Sequence, residues 1–131
     1  MPSIFTKIIN GDIPCYKVAE SETCFAFLDI NPLASGHTLV VPKKEVDYIF
    51  DVDDEQYTEL MLFAKKVARA IERVVPCERI GVTVIGLEVP HAHVHLIPIN
   101  SIGDMNFAKP KLHSNSEELA SLAQRIAAEM A

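Results

Sequence analysis

Between residues 53 and 75 the apolar positions recur at steps of three and four: Tyr57, Leu60, Met61, Ala64, Val67, Ala68, Ile71 and Val74. This spacing lays one apolar stripe along an α-helix. Lys65, Lys66, Arg69, Glu72 and Arg73 fall on its other side. Asp53 stands where an N-cap belongs, Gln56 three residues on gives a capping-box pattern, and Pro76 stops the helix. Elsewhere short runs of β-branched and aliphatic residues predict five strands, at 16–20, 24–29, 37–41, 80–85 and 93–99. The polar link Ser21-Glu22-Thr23 is short enough for a hairpin, and Pro42 closes the third strand. At the N-terminal end Ile4-Phe5 and Ile8-Ile9 share one face of a short helix that Asn10-Gly11 ends. From Ser114 or Asn115 a terminal helix carries Leu119, Leu122, Ala123, Ile126 and Met130 on its apolar side. Strands outnumber helices and their links are mostly short, which predicts an α+β chain built on an antiparallel sheet.

Composition narrows the picture. A chain of 131 residues, 49% apolar, is expected to form one domain over 1–131 with a single packed core. No apolar stretch approaches the length that spans a bilayer. The opening Met1-Pro2-Ser3-Ile4-Phe5-Thr6-Lys7 lacks the basic region and apolar core of a signal peptide, so the expected location is cytoplasmic. Net charge is −6, with acids gathered at Asp51, Asp53, Asp54 and Glu55. Polymeric nucleic acid is not an expected partner, because no basic tract is long enough to follow its backbone. A single nucleotide is compatible with this charge. Cys15, Cys24 and Cys77 are odd in number, with no Cys-x-x-Cys pair, and read as reduced thiols.

The chemistry concentrates in His91-Ala92-His93-Val94-His95, followed by Leu96-Ile97-Pro98. Alternation along a strand sends the three histidines to one face and Ala92, Val94 and Leu96 to the other. Neighbouring imidazoles would then lie about 6–7 Å apart, too far for direct hydrogen bonds along the row. A shared anion, phosphate or metal would give three adjacent imidazoles a common partner. Two reactive readings follow from the residues. Three neutral imidazoles hold a zinc-like ion with an open position for water. Alternatively, one imidazole attacks a phosphorus or acyl centre while its neighbours stabilise the charge, a role that a pKa of about 6.5 suits.

His37 lies in Gly36-His37-Thr38-Leu39-Val40-Val41-Pro42, after Phe27-Leu28-Asp29-Ile30-Asn31-Pro32. With Ile4-Phe5-Thr6-Lys7-Ile8-Ile9-Asn10-Gly11-Asp12-Ile13-Pro14 and the histidine row, these segments closely resemble the histidine triad (HIT) superfamily of nucleotide hydrolases and transferases. The resemblance runs from about residue 4 to 98 and leaves 111–131 as a C-terminal helical extension. It implies a five-stranded antiparallel sheet with one long helix and a shorter N-terminal one, and assembly as a homodimer. It also implies that His93 attacks the α-phosphate of a purine nucleotide conjugate. The resulting nucleotidyl-histidine is hydrolysed by water, with neither metal nor other cofactor needed for the nucleophile. His91 and His95 would orient that nucleophile and bind phosphate oxygens, and His37 would extend their network. Phe5, Phe27 and Ile30 would surround the base, and Asp29 would accept hydrogen bonds from the ribose. On the residues alone, Phe5 and Phe27 suit a core equally well, Asp29 a turn, and His37 a half-buried strand position.

The chain departs from the family pattern just before the histidine row. Relatives carry a glycine-rich loop with Asn and Gly-Gln-Ser or Gly-Gln-Thr; here the link is the shorter Val84-Ile85-Gly86-Leu87-Glu88-Val89-Pro90. Glu88 takes the place of Ser or Thr, where a carboxylate repels phosphate and favours a cationic leaving group such as an amine. The altered loop also allows a non-catalytic nucleotide-binding regulator, and the row itself a tris-histidine metalloprotein. Phe5-Thr6-Lys7 stands where zinc-binding relatives have a cysteine-containing segment, which argues against that structural zinc site.

Overall fold

Five strands pair in one antiparallel sheet in the computed structural model, which describes residues 2–130. They are β1 (Lys17–Glu20), β2 (Cys24–Leu28), β3 (Thr38–Pro42), β4 (Arg79–Thr83) and β5 (Val94–Ile99), in the order β1-β2-β3-β5-β4. Three α-helices complete the fold: α1 (Ile4–Ile9), α2 (Asp54–Val74) and α3 (Ser116–Ala128). This is the α+β, five-stranded antiparallel arrangement expected, with one long helix, a short N-terminal helix and a C-terminal helix.

Period-two alternation divides the sheet into two buried faces. Cys24, Ala26, Leu28, Val40, Val94 and Leu96 point towards α2 and α3 and form the larger core with Leu60, Val67, Ile71 and Ile126. Phe25, Phe27, Leu39 and Val41 point the other way, where Phe5 of α1 packs on them. β2 and β3 are therefore buried along their whole length. The two faces differ in cover. Helices close the first, whereas the short α1 covers the second only in part and leaves room beside it.

Asp53 caps α2 by accepting from the Gln56 N–H at 2.8 Å, but the reciprocal half of the capping box is missing. Gln56 turns its amide to the Cys24 sulfur instead, at 3.9 Å. The buried stripe of α2 is also rotated from the one expected. Phe63 and Ala70 are buried, while Tyr57 is 37% exposed and Met61 only partly covered. The helix turns Leu60, Phe63, Ala64, Val67, Ala70 and Ile71 into the core, and its Tyr57–Met61 flank lies beside Tyr48, Phe50 and Ile85. β4 ends at Thr83, so Val84 and Ile85 lie beyond the ladder. Asn115, rather than Ser114, caps α3 by accepting from the Glu118 N–H. Gly11 follows the end of α1 at φ +83°, a conformation that favours glycine. Cys15, Cys24 and Cys77 are free thiols. Among the described residues no helix is long and apolar enough to cross a membrane.

Candidate active site

β5 begins at Val94, so of the three row histidines only His95 lies in the paired ladder. The expected equal spacing of about 6–7 Å is accordingly not met. The His93 and His95 rings stand 4.9 Å apart, edge to face. His91 turns away, with Phe5 lying between it and His93 at ring separations of 5.9 and 4.9 Å. The irregular backbone at residues 91–93 has a local cause. His93 Nδ1 folds back onto the His91 carbonyl at 2.8 Å, a bond a regular strand does not allow.

His37 reaches the row from the neighbouring strand edge. The turn before it passes through Gly36 at φ +94°, where a Cβ would meet the Val75 side chain at 3.0 Å and Pro98 at 3.2 Å. Only glycine fits both the conformation and the space. The turn is held by Asp29 N–H donating to the His37 carbonyl and His37 N–H donating to Ala34, each at 3.0 Å. His37 and His95 thus meet at 3.0 Å between Nε2 and Nδ1.

These bonds decide which nitrogens carry protons in the neutral rings. The Leu33 N–H donates to His37 Nδ1, so the His37 proton sits on Nε2. That proton goes to His95 Nδ1, which places the His95 proton on Nε2. The His91 carbonyl can only accept, so His93 is protonated at Nδ1 and keeps a lone pair on Nε2. His91 donates from Nε2 to the Pro42 carbonyl at 2.8 Å and accepts at Nδ1 from the Ser3 hydroxyl at 2.7 Å. Burial favours the neutral rings: it holds His37 down to about 3 and His95 to about 4, and lowers His91. No fully buried side-chain N or O lacks a partner among the described residues. Among the described residues His93 Nε2 and His95 Nε2 have no protein partner, and both rings border the cleft: in these tautomers the first can accept a hydrogen bond and the second can donate one.

Phe5, Phe27, Asp29, Ile30, Glu88, His93 and His95 line one cleft of about 280 Å³, between α1 and the sheet. All the expected nucleotide contacts therefore meet the expected nucleophile. His37 stands behind His95, and His91 is fully buried away from the cleft. Both phenylalanines are buried in the smaller core and also border the opening. Ile30 is 62% exposed and forms its lip. Asp29 accepts from the Asn31 N–H at 2.8 Å, the turn contact expected, and lies 3.6 Å from His37 Nε2. Its partial burial raises its pKa. A larger cavity of about 390 Å³ lies behind His37 against α3, but Glu117 and Glu118 border it and neither His93 nor His95 does.

The row does not converge on a metal as three histidines, because both nitrogens of His91 are engaged. Asp29, His37 and His95 do bring one ligand atom each within 4.8 Å of one another. In the neutral site His37 and His95 are hydrogen-bonded to each other.

Two sets of residues around the site escaped the sequence reading. Ser3 caps α1, and its hydroxyl also serves His91; Thr6 and the Ser3 N–H both donate to Glu45, at 2.7 and 2.6 Å. A Ser-x-x-Thr start before an apolar pair was the available signal. The second set is Phe107 and Lys111, in a polar connector without periodicity. Phe107 stands edge-on to His95 at 4.9 Å and to His37 at 6.1 Å.

A family model, the HIT domain, matches residues 10–102. The Bacillus subtilis protein hit is 38% identical, the match covering 98% of this chain and 94% of that one. An adenosine 5'-monophosphoramidase of Schizosaccharomyces pombe is 35% identical over 99% of both chains. Among solved structures, a Hit-like protein of Bartonella henselae superposes with a TM-score of 0.84 at 31% identity, covering 97% of this chain and 95% of that one. Fold, histidine row and relatives agree: the chain belongs to the histidine triad (HIT) family.

Proposed function

We propose that the cleft takes a purine nucleotide conjugate and that His93 opens its α-phosphate linkage. One observation carries this reading. His93 Nδ1 is committed to the His91 carbonyl, which leaves an unprotonated Nε2 free in a cleft bordered by two phenylalanine rings and two carboxylates, Asp29 and Glu88. Nε2 attacks the α-phosphorus; a P–N bond forms as the bond to the leaving group breaks, and a leaving amine takes a proton from solvent. Water then attacks the same phosphorus and loses a proton to solvent, the P–N bond breaks, and the nucleoside monophosphate departs with Nε2 restored. His95 donates from Nε2 to a phosphoryl oxygen, and His37 holds it in the tautomer that can do so. Asp29 accepts from the ribose hydroxyls, with Phe5, Phe27 and Ile30 around the base.

Glu88 biases the leaving group. An exposed carboxylate at the cleft disfavours polyphosphates and favours amines, which become cationic once protonated. The activity named for the fission-yeast relative is of this kind. A turnover screen tests the reading, with adenosine and guanosine phosphoramidates set against dinucleoside polyphosphates. The expected result is a higher kcat/KM for the phosphoramidates. Binding without turnover of any of them would instead make the protein a nucleotide-binding regulator.

We further read the protein as a cytoplasmic homodimer. β4 is an edge strand that exposes Val82, and past its end Ile85 is grouped with the exposed Tyr48, Phe50 and Tyr57. With Phe50 72% exposed, this group is an apolar surface that a monomer would leave in water. Light scattering at micromolar concentration is expected to give twice the chain mass. Val82→Arg, which puts a charge on that edge, should halve it. A monomer mass for the unmodified protein would overturn the assembly.

A further inference from the structure

Phosphate binding poses a problem of charge at this site. Asp29 and Glu88 are acids, and the buried His37 and His95 are neutral at physiological pH. A nucleotide bringing a negative phosphate into this company gains from a cation beside the neutral donor of His95, and no Lys or Arg of the sheet or α1 borders the cleft.

The chain beyond β5 supplies one. After a short 3-10 turn, Ile102–Met105, it runs back over the His37–His95 side of the site. Ser101 and Asp104 cap that turn reciprocally, and the Met105 sulfur lies where a Cβ on Gly81 would be 2.7 Å away. At its far end the Leu112 N–H donates to the Pro32 carbonyl at 2.8 Å, tying the segment to the loop after Asp29. Phe107 and Lys111 lie between these two anchors. The Lys111 ammonium donates to the Phe107 and Lys109 carbonyls and stands 5.9 Å from the Phe107 ring centre. No carboxylate lies within 4.0 Å of it among the described residues. Its charge acts on both Asp29 and His37. Two of its three donors are used by carbonyls of its own segment, so one remains.

We propose that Lys111 is the cation of the phosphate subsite, held by the segment 106–112 so that its ammonium pairs with a non-bridging phosphate oxygen of a bound nucleotide. The proposal rests on the nucleotide reading of the cleft and adds to it a residue beyond the 10–102 stretch that the family model matches. A lysine suits the position because its compact charge on a flexible stem reaches phosphate without a fixed fork geometry. The two carbonyl bonds keep it close by when the cleft is empty.

Calorimetric titration with adenosine monophosphate and with adenosine separates the charge from the nucleoside. Lys111→Met should weaken the monophosphate by about tenfold and leave adenosine unchanged, the size expected for one charge-assisted hydrogen bond. Lys111→Arg should restore most of the loss, and added salt should shrink the wild-type preference for the monophosphate. Lys109→Met removes the same charge from the same segment and should change neither ligand more than about twofold. If Lys111→Met weakens both ligands equally, or neither, the residue is a structural part of the strap and the proposal is wrong. A wild-type protein that binds both ligands equally keeps the nucleotide reading and loses Lys111 as its cation; one that binds neither loses both.

Discussion

Replacing His93 with alanine is expected to lower turnover of a nucleoside phosphoramidate by on the order of a thousandfold or more while nucleotide binding persists. The expectation comes from what the ring does and does not do in the structure. Its single hydrogen bond, from Nδ1 to the His91 carbonyl, orients the ring without holding distant parts of the fold together. Removing the ring costs an edge contact with Phe5 at 4.9 Å and one with His95 at the same distance. The bonds that join Asp29, His37 and His95 to their loops are untouched. The variant should therefore fold and still hold the nucleoside, but it has no lone pair at the phosphorus. Rapid quenching of the wild-type reaction with labelled substrate should give an acid-labile adduct on His93, absent from the variant. Normal turnover by the variant, or label on another residue, would rule out the mechanism.

Acid should destabilise the protein well before its carboxylates are protonated. His37 and His95 are held in the fold at about 3 and about 4, against 6.5 for a free side chain. A base whose folded pKa lies below its unfolded one is neutral in both states at high pH. As pH falls through 6.5 the unfolded chain takes up protons that the fold refuses, so stability is lost from there down to about 4 for His95 and about 3 for His37. His91, also lowered by burial, adds in the same direction. Glu20, held at about 2 by Lys17 and Lys43, adds a loss only as pH falls from 4.5 towards about 2. Asp29 works the other way, since its raised pKa means that acid relieves a cost. The net loss between neutrality and about pH 4.5 should be on the order of a few kcal/mol. Thermal midpoints measured across that range check it. A paired His37→Gln and His95→Gln variant should show a much flatter slope. An unchanged slope in that variant would mean that these rings do not carry the acid lability.

Much of this architecture could be read directly from residue periods. The three- and four-residue spacing of Leu60, Ala64, Val67 and Ile71 determined a long helix with one buried side, and Asp53 determined its start. The apolar runs at 24–29 and 37–41 determined two strands of an antiparallel sheet, whereas the burial of both their faces was decided by helices packing on either side. His37 and the row from His91 to His95 were identifiable because residue type and order are themselves the signal. Periodicity reports which face a side chain takes, but not how deep it lies or what it meets there. Equal spacing in sequence therefore hid three different fates: His95 in the ladder, His93 curled back on a carbonyl, His91 buried against Ser3. Only packing α1 on the sheet brings Ser3 to His91 across 88 positions of chain. Phe107 and Lys111 sit in a connector with no period to read, and Phe107 meets His95 because the chain returns over the site, with Leu112 tied to Pro32. The protonation pattern of the site was decided last of all. It depends on which carbonyls and N–H groups the folded backbone sets against each ring, and no local run of residues carries that information.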